Sequence, residues 1–247
     1  MSVRPALKIG SRCERCRTTQ AGTGGIIRTS VRIVKPDVRS VVLGSDFDRL
    51  YLSMPKPSLK DKIVLEGLKV MWDRGYVGAS VRDIVSAAGV PQGSFTNHFR
   101  SKEAFALEVL EAYFAHSRRE VIEVTLQNEK LPPLGRLRAY IDATRGQFRR
   151  QGMQNGCLIG NFAAEASDHS EIIRVRLSEI ISEIQRAVAS CLKAAVTAGE
   201  LPRRLDCKEM AGFIVSSLQG AMLIAKAERR SDPIDRFERM LFWLLKH

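Results

Sequence analysis

The regular spacing of apolar residues from Ser58 to the end of the chain is the strongest constraint on the fold. They recur every three or four positions, and no run alternates with period two for long enough to make a strand. With 45% apolar and 27% charged residues, the chain can also bury a sizeable core. We therefore predict an all-α protein, with helices at about 59–75, 80–88, 92–99, 101–128, 134–150, 156–167, 171–198, 206–229 and 232–246.

The first 53 residues differ from the rest, because they carry scattered arginines and no sustained helical period. They hold ten basic and four acidic residues, which is half of the net charge of +12. Met54 begins the periodic part. Residues 1–53 are therefore an extension created by the choice of start codon, a basic arm that follows DNA phosphates, or an inert tail. We divide the chain into this irregular basic extension (1–53), a helix-turn-helix domain (54–105) and a helical domain (106–247).

Three short helices within 58–99 have the spacing of a helix-turn-helix. Ser80 and Asp83 form a capping box that opens the second helix. Gly89 allows the turn, and Pro91 at the first helical position opens the third helix. In such a motif the third helix enters the major groove of DNA, where Gln and Asn can pair with adenine.

Charge and composition agree with a nucleic-acid partner. An excess of +12 concentrates anions around the molecule. No apolar run approaches the ~20 residues of a membrane span, and no secretory segment follows the basic start, so we expect a cytoplasmic protein without a membrane partner. Five cysteines do not form a disulfide framework in a chain this long. Cys13 and Cys16 have the spacing of half a zinc site without a second half, so we expect no metal and no cofactor.

A longer series of residues around this motif is also informative. It comprises Ser80-Val-Arg-Asp-Ile84, Ala88-Gly-Val90, Gly93-Ser-Phe95, His98-Phe99 and Ser101-Lys-Glu103. The chain resembles the TetR/AcrR family of bacterial transcriptional regulators, over 58–105 in detail and 106–247 in architecture. The resemblance implies a homodimeric repressor that binds a palindromic operator in double-stranded DNA and leaves it when a small-molecule inducer binds the C-terminal domain. It implies DNA contacts from Ser80, Gln92, Gly93, Ser94, Thr96, His98 and Lys102. Asn97, on the same face of the third helix, is a further candidate because Asn can pair with adenine. Thr96 departs from the family, which commonly has an aromatic residue there.

The stretch from Gly156 to Glu165 suggests an effector site. If Asn155 caps the helix, Cys157 lies at its second position, where free N–H groups favour a thiolate. Cys157, Asn161 and Glu165 then share one polar stripe that could line a pocket. The segment resembles the TetR-family subgroup that includes the NemR and AcuR regulators, which respond to electrophiles or small unsaturated acids. The alternative is that Cys157 simply packs in the core as a small apolar residue. A minor candidate for holding a carboxylate inducer is the set Arg136, Arg138, Arg145, Arg149 and Arg150.

Two apolar stripes in the last third of the chain fill one core or, as the resemblance implies, form a dimer interface. They comprise Ile172, Val175, Ile180, Ile184, Val188, Leu192 and Ala195, and Met210, Phe213, Ile214, Ser217, Gly220, Ala221 and Ile224. No phosphate loop, nucleophile elbow or metal cluster suggests an enzyme. The remaining alternative is a helical interaction protein with a degenerate helix-turn-helix and no specific operator.

Overall fold

A computed structural model describes residues 58–246, and every regular element among them is helical. The α-helices are α1 (Leu59–Gly78), α2 (Val81–Ala88), α3 (Gln92–His98), α4 (Lys102–Ser117), α5 (Pro133–Arg150), α6 (Leu158–Glu165), α7 (Glu171–Thr197), α8 (Cys207–Glu228) and α9 (Asp232–Leu244). The all-α prediction is confirmed. Residues 1–53, with Cys13 and Cys16, lie outside the described residues.

The first three helices form the predicted helix-turn-helix. Ser80 accepts a hydrogen bond from the Asp83 amide, and the Asp83 carboxylate accepts one from the Ser80 amide, so the predicted capping box is present. Gly89 ends α2 at φ 62°, in the left-handed region that a glycine adopts readily. Pro91 was predicted to be the first helical residue of α3. It is instead the N-cap, because its ψ of 150° is extended.

The capping box gives a testable pH dependence. The hydrogen bond from Ser80 lowers the pKa of Asp83 to about 2. Since the folded-state pKa lies below the unfolded one, this stabilisation is present above about pH 4 and is lost as the pH falls toward 2. We expect Asp83→Asn to flatten the acid limb of a stability–pH curve measured by urea unfolding, relative to Asp73→Asn on the exposed side of α1. Parallel curves for both variants would contradict this.

Helix α4 ends earlier than predicted. It gives way at Arg118–Glu123 to a π-helical turn, whereas the apolar pattern predicted one helix to about residue 128. Periodicity alone does not distinguish i→i+4 from i→i+5 bonding over one turn. Helix α4 crosses the predicted boundary at residues 105 and 106, so the two predicted domains share it.

The α7 stripe fills the core of a single chain. Ile180, Val188 and Leu192 are fully buried, and only Ile172 and Val175 at the start of α7 are exposed. The prediction that the apolar stripe of α7 forms a dimer face is therefore wrong over most of its length, because the core of the same chain already covers that stripe. Exposed apolar side chains lie instead on α8 and α9: Phe213, Leu223, Ile224, Met240, Trp243 and Leu244.

By length and composition alone, helix α8 could cross a membrane, although no apolar run in the sequence predicted such a helix. The core helices of soluble proteins often have the same length and composition. Helix α8 packs against both α7 and α9, and it buries Ile214, Val215 and Leu218 among them.

Candidate functional site

The polar face of α3 is open to solvent. Phe95, together with Phe99 just beyond the helix, is buried against Phe105, and this anchors α3 with its opposite face outward. The predicted contact residues on that face are exposed, except for the half-buried Ser94: Gln92, Gly93, Thr96, Asn97 and His98. The Thr96 hydroxyl donates to the Gly93 carbonyl at 3.0 Å, so a helix backbone acceptor holds it.

The two flanking residues predicted to contact DNA already have partners within the chain. The exposed Ser80 hydroxyl donates to the Asp83 carboxylate at 2.6 Å. The Lys102 ammonium lies 4.9 Å from the Tyr76 ring centroid and donates to the Val77 carbonyl at 3.3 Å. Burial lowers the pKa of Lys102, and the negative charge of Glu165 opposes that shift. Lys102 therefore reaches back onto α1 in this conformation.

Helix α6 begins two residues later than predicted. Cys157, not Asn155, is the N-cap of α6, so its thiol lies at the helix end rather than inside the first turn. Gly156 before it has φ 72°, and its carbonyl accepts a hydrogen bond from Trp72 Nε1 at 2.8 Å. This buried bond ties the segment that carries Cys157 to α1, and it moves the helix start.

Asn161 and Glu165 do not join Cys157 in a pocket. The Asn161 amide donates to the Asn155 carbonyl at 2.8 Å and so closes the preceding loop. Glu165 lies against Gly75 of α1 and accepts a hydrogen bond from the Val77 amide at 3.4 Å. Helix α6 therefore has one end at Cys157 and the other against the helix-turn-helix. The prediction of one pocket stripe is wrong, because the three residues face different neighbours.

Cys157 lines a cavity of about 70 Å³ between α1, α4, α5, α7 and α8. The Tyr113 hydroxyl donates weakly to its sulfur at 3.9 Å. The lining combines apolar side chains with several neutral polar ones: Ser117, Tyr140, Thr144, Gln147, Gln151 and Gln219. Sequence reasoning missed Trp72, Tyr113 and Tyr140, because aromatic residues at core-facing helical positions have the same pattern whether they fill a core or surround a cavity.

The arginines considered for a carboxylate inducer lie outside this lining. Arg145 pairs with Asp235 at 2.6 Å and Glu238 at 2.8 Å on α9, and Arg138 pairs with Glu238 at 2.6 Å. Arg149 donates to the Ser231 hydroxyl. This side of α5 therefore fastens α9, and the interpretation as an inducer clamp is wrong for these arginines.

The other described cysteines are core residues. Cys191 is 3% exposed and Cys207 8% exposed, and burial raises the pKa of the Cys191 thiol to about 11. Within residues 58–246, no group of three or more His, Cys, Asp or Glu side chains is arranged to hold a metal ion.

Comparison with known proteins identifies both parts of the chain. Residues 63–109 match the family model of bacterial regulatory proteins of the tetR family, and residues 133–241 match that of the tetracyclin repressor-like C-terminal domain. The chain is 38% identical to the HTH-type transcriptional repressor DhaR of Mycobacterium sp. strain GP1 over 189 residues, 76% of this chain and 93% of that protein.

Two further proteins give the same result. The chain is 33% identical to the transcriptional regulator AcuR of Cereibacter sphaeroides over 177 residues, 72% of this chain and 80% of that protein. The crystal structure of a regulatory protein TetR from Rhodobacter sphaeroides superposes with a TM-score of 0.71 at 32% identity, and covers 74% of this chain and 97% of that one. The chain therefore belongs to the TetR family of DNA-binding transcriptional regulators, and it is not an enzyme.

Proposed function

We propose that this protein is a homodimeric repressor, and that a small-molecule or electrophile inducer releases it from a palindromic operator. The observation that carries the proposal is the exposed polar face of α3, held outward by buried Phe95 and Phe99. Gln92 and Asn97 are the side chains suited to base edges. The side chains of Ser94, Thr96 and His98 are suited to the phosphate backbone. The relative DhaR is named a repressor, which favours repression. Operator binding places the protein in the cytoplasm.

Dimerisation rests on the apolar surface of α8 and α9. Phe213, Ile224, Met240 and Trp243 are each between 44% and 53% exposed. Large apolar side chains left exposed on two neighbouring helices favour a site of association there. A two-fold dimer presents two copies of α3 to successive half-sites, which is why the operator is expected to be palindromic.

Release requires the cavity to act on α3 at a distance. Two contacts join α6 and the loop before it to α1: the Trp72–Gly156 hydrogen bond at the cavity, and the Glu165 carboxylate at Gly75 and Val77 at the other end of α6. An inducer that fits only a shifted α6 would move both contacts and change the distance between the two α3 helices. Differential affinity of the inducer for the two arrangements supplies the driving force.

Titration of the protein with its own upstream DNA tests this function. We expect nanomolar binding to a palindrome, and an affinity that falls steeply with salt because bound phosphates release counterions. Sedimentation of the free protein should give a dimer. A flat salt response with no preference for this DNA over a scrambled duplex would favour an interaction protein with a degenerate helix-turn-helix.

Cys157→Ser tests the electrophile branch of the proposal. We expect this variant to bind the operator as the wild type does but to stay bound when a thiol-reactive electrophile is added, because serine is a far weaker nucleophile than cysteine. Cys191→Ser and Cys207→Ser are matched controls, since both thiols are buried away from the cavity. Fluorescence anisotropy of labelled operator measures release. Equal release of Cys157→Ser and wild type would exclude the thiol as sensor.

A further inference from the structure

Tyr140 is one of the polar side chains of the cavity for which the structure shows no side-chain hydrogen bond. It lies on α5, lines the same cavity as Cys157, and is only 9% exposed. Among the described residues, no side chain or backbone group forms a hydrogen bond with its hydroxyl. The Tyr140 oxygen is not fully enclosed by protein, so a molecule in the cavity can reach it. A hydroxyl retained in this position is therefore suited to a bound molecule.

The Tyr140 hydroxyl and the Cys157 thiol belong to the lining of the same cavity. Burial raises the pKa of Tyr140, and the nearby Cys157 raises it further. The phenol therefore stays protonated at neutral pH and acts as a hydrogen-bond donor. The Tyr113 hydroxyl already contacts the sulfur at 3.9 Å. The cavity thus holds both a nucleophile and a hydrogen-bond donor.

The charge of the cavity restricts the ligand. Among the described residues that line it, none carries a Lys, Arg, His, Asp or Glu side chain. A carboxylate bound there would lose its hydration without gaining a cation, which is strongly unfavourable. A neutral molecule with one oxygen acceptor avoids this cost and satisfies Tyr140. The volume of about 70 Å³ suits a molecule of a few heavy atoms.

We propose that Tyr140 is the recognition residue of this cavity, and that it binds the oxygen of a small, neutral α,β-unsaturated carbonyl compound whose β-carbon then reacts with Cys157. This inference rests on the proposed function and names its inducer class. The sulfur forms a bond with the β-carbon as the C=C π bond breaks, and the negative charge develops on the carbonyl oxygen that Tyr140 faces. The thiol proton ends on the α-carbon, so the addition needs no oxidant or reductant.

Acrylamide and acrylate make a matched pair of probes, because they have nearly the same shape and differ in charge. Alkylation of Cys157 is followed by intact-protein mass spectrometry, and each rate constant is divided by that of a free thiol with the same probe at the same pH. We expect the normalised rate for acrylamide to exceed that for acrylate by about tenfold or more. Equal normalised rates would overturn the inference that the cavity selects a neutral ligand.

Tyr140→Phe tests the donor itself. We expect this variant to react with acrylamide about tenfold more slowly than the wild type, since one hydrogen bond to a developing oxyanion is lost. Tyr76→Phe removes a hydroxyl outside the cavity lining and should react as the wild type does. Thermal unfolding checks that the Tyr140→Phe variant folds. Equal rates for wild type and Tyr140→Phe would overturn the role of Tyr140.

These rates are measured without DNA, so they fail separately from the proposed function. If Tyr140→Phe reacts normally and acrylamide still releases the operator through Cys157, the proposed function stands and the role of Tyr140 is overturned. If acrylamide releases the Cys157→Ser variant from the operator as readily as it releases the wild type, both the sensor role of the thiol and this inference are overturned.

Discussion

Replacing Gln92 and Asn97 together with alanine is expected to weaken operator binding by about thirtyfold or more. Both side chains are exposed on the outward face of α3, and each bidentate pair with a base is worth ~1–3 kcal/mol. Two such pairs correspond to a factor of roughly 30 to 2 × 10⁴ in the dissociation constant, which fluorescence anisotropy at a fixed salt concentration measures. The fold should be unchanged, because neither side chain contributes to the core around Phe95.

The control for this variant is Gln127→Ala, which removes an exposed glutamine beyond α4 and should bind the operator normally. The salt dependence separates two kinds of contact. Loss of a base contact leaves the slope of log affinity against log salt unchanged, whereas loss of a phosphate contact lowers it. Binding by the double variant within threefold of the wild type would show that α3 does not read bases through these residues.

The helix-turn-helix could be predicted from sequence because local chemistry determines it. The Ser80–Asp83 box and the left-handed Gly89 each act within four residues, so their effects are visible in the chain itself. The outward face of α3 follows from the spacing of Phe95 and Phe99, whose burial leaves the positions between them exposed. Its role in DNA binding remains a prediction for each individual residue.

The effector region could not be predicted in the same way, because long-range contacts determine it. The start of α6 depends on the Trp72–Gly156 hydrogen bond, which joins residues 84 positions apart. Similarly, Glu165 belongs to the polar stripe by spacing, but Gly75 leaves room for its carboxylate at α1. Periodicity identifies which residues share a helix face, but it does not identify what that face meets.

The ambiguity over the last helices has the same origin. The α7 and α8 stripes look alike in sequence, yet the core covers most of α7, and α8 keeps Phe213 and Ile224 exposed. Which amphipathic face remains free depends on how many neighbours pack around each helix. That number is a property of the tertiary arrangement, so two equal stripes can have different roles.

Gly67→Ala is expected to destabilise the helix-turn-helix by about 2 kcal/mol, although alanine is the better helix former. Gly67 lies inside α1 at its closest approach to α4. An added Cβ would overlap the buried ring of Phe105 and lie 2.9 Å from Ile84 Cγ2. Phe105 cannot yield easily, because it packs at 4.8 Å from Phe99 and 5.2 Å from Phe95 between ring centroids. Urea unfolding measures the loss.

The same substitution at Gly146 should have the opposite sign. Gly146 lies inside α5, and an added Cβ there would meet only the flexible guanidinium of Arg150 at 3.6 Å. Gly146→Ala should therefore gain about 0.5–1 kcal/mol of stability from helix propensity. Because the Phe105 ring supports Phe95, Gly67→Ala should also weaken operator binding, and Gly146→Ala should not. If both variants were stabilised alike, the close contact of α1 with Phe105 could not be what holds α3 in place.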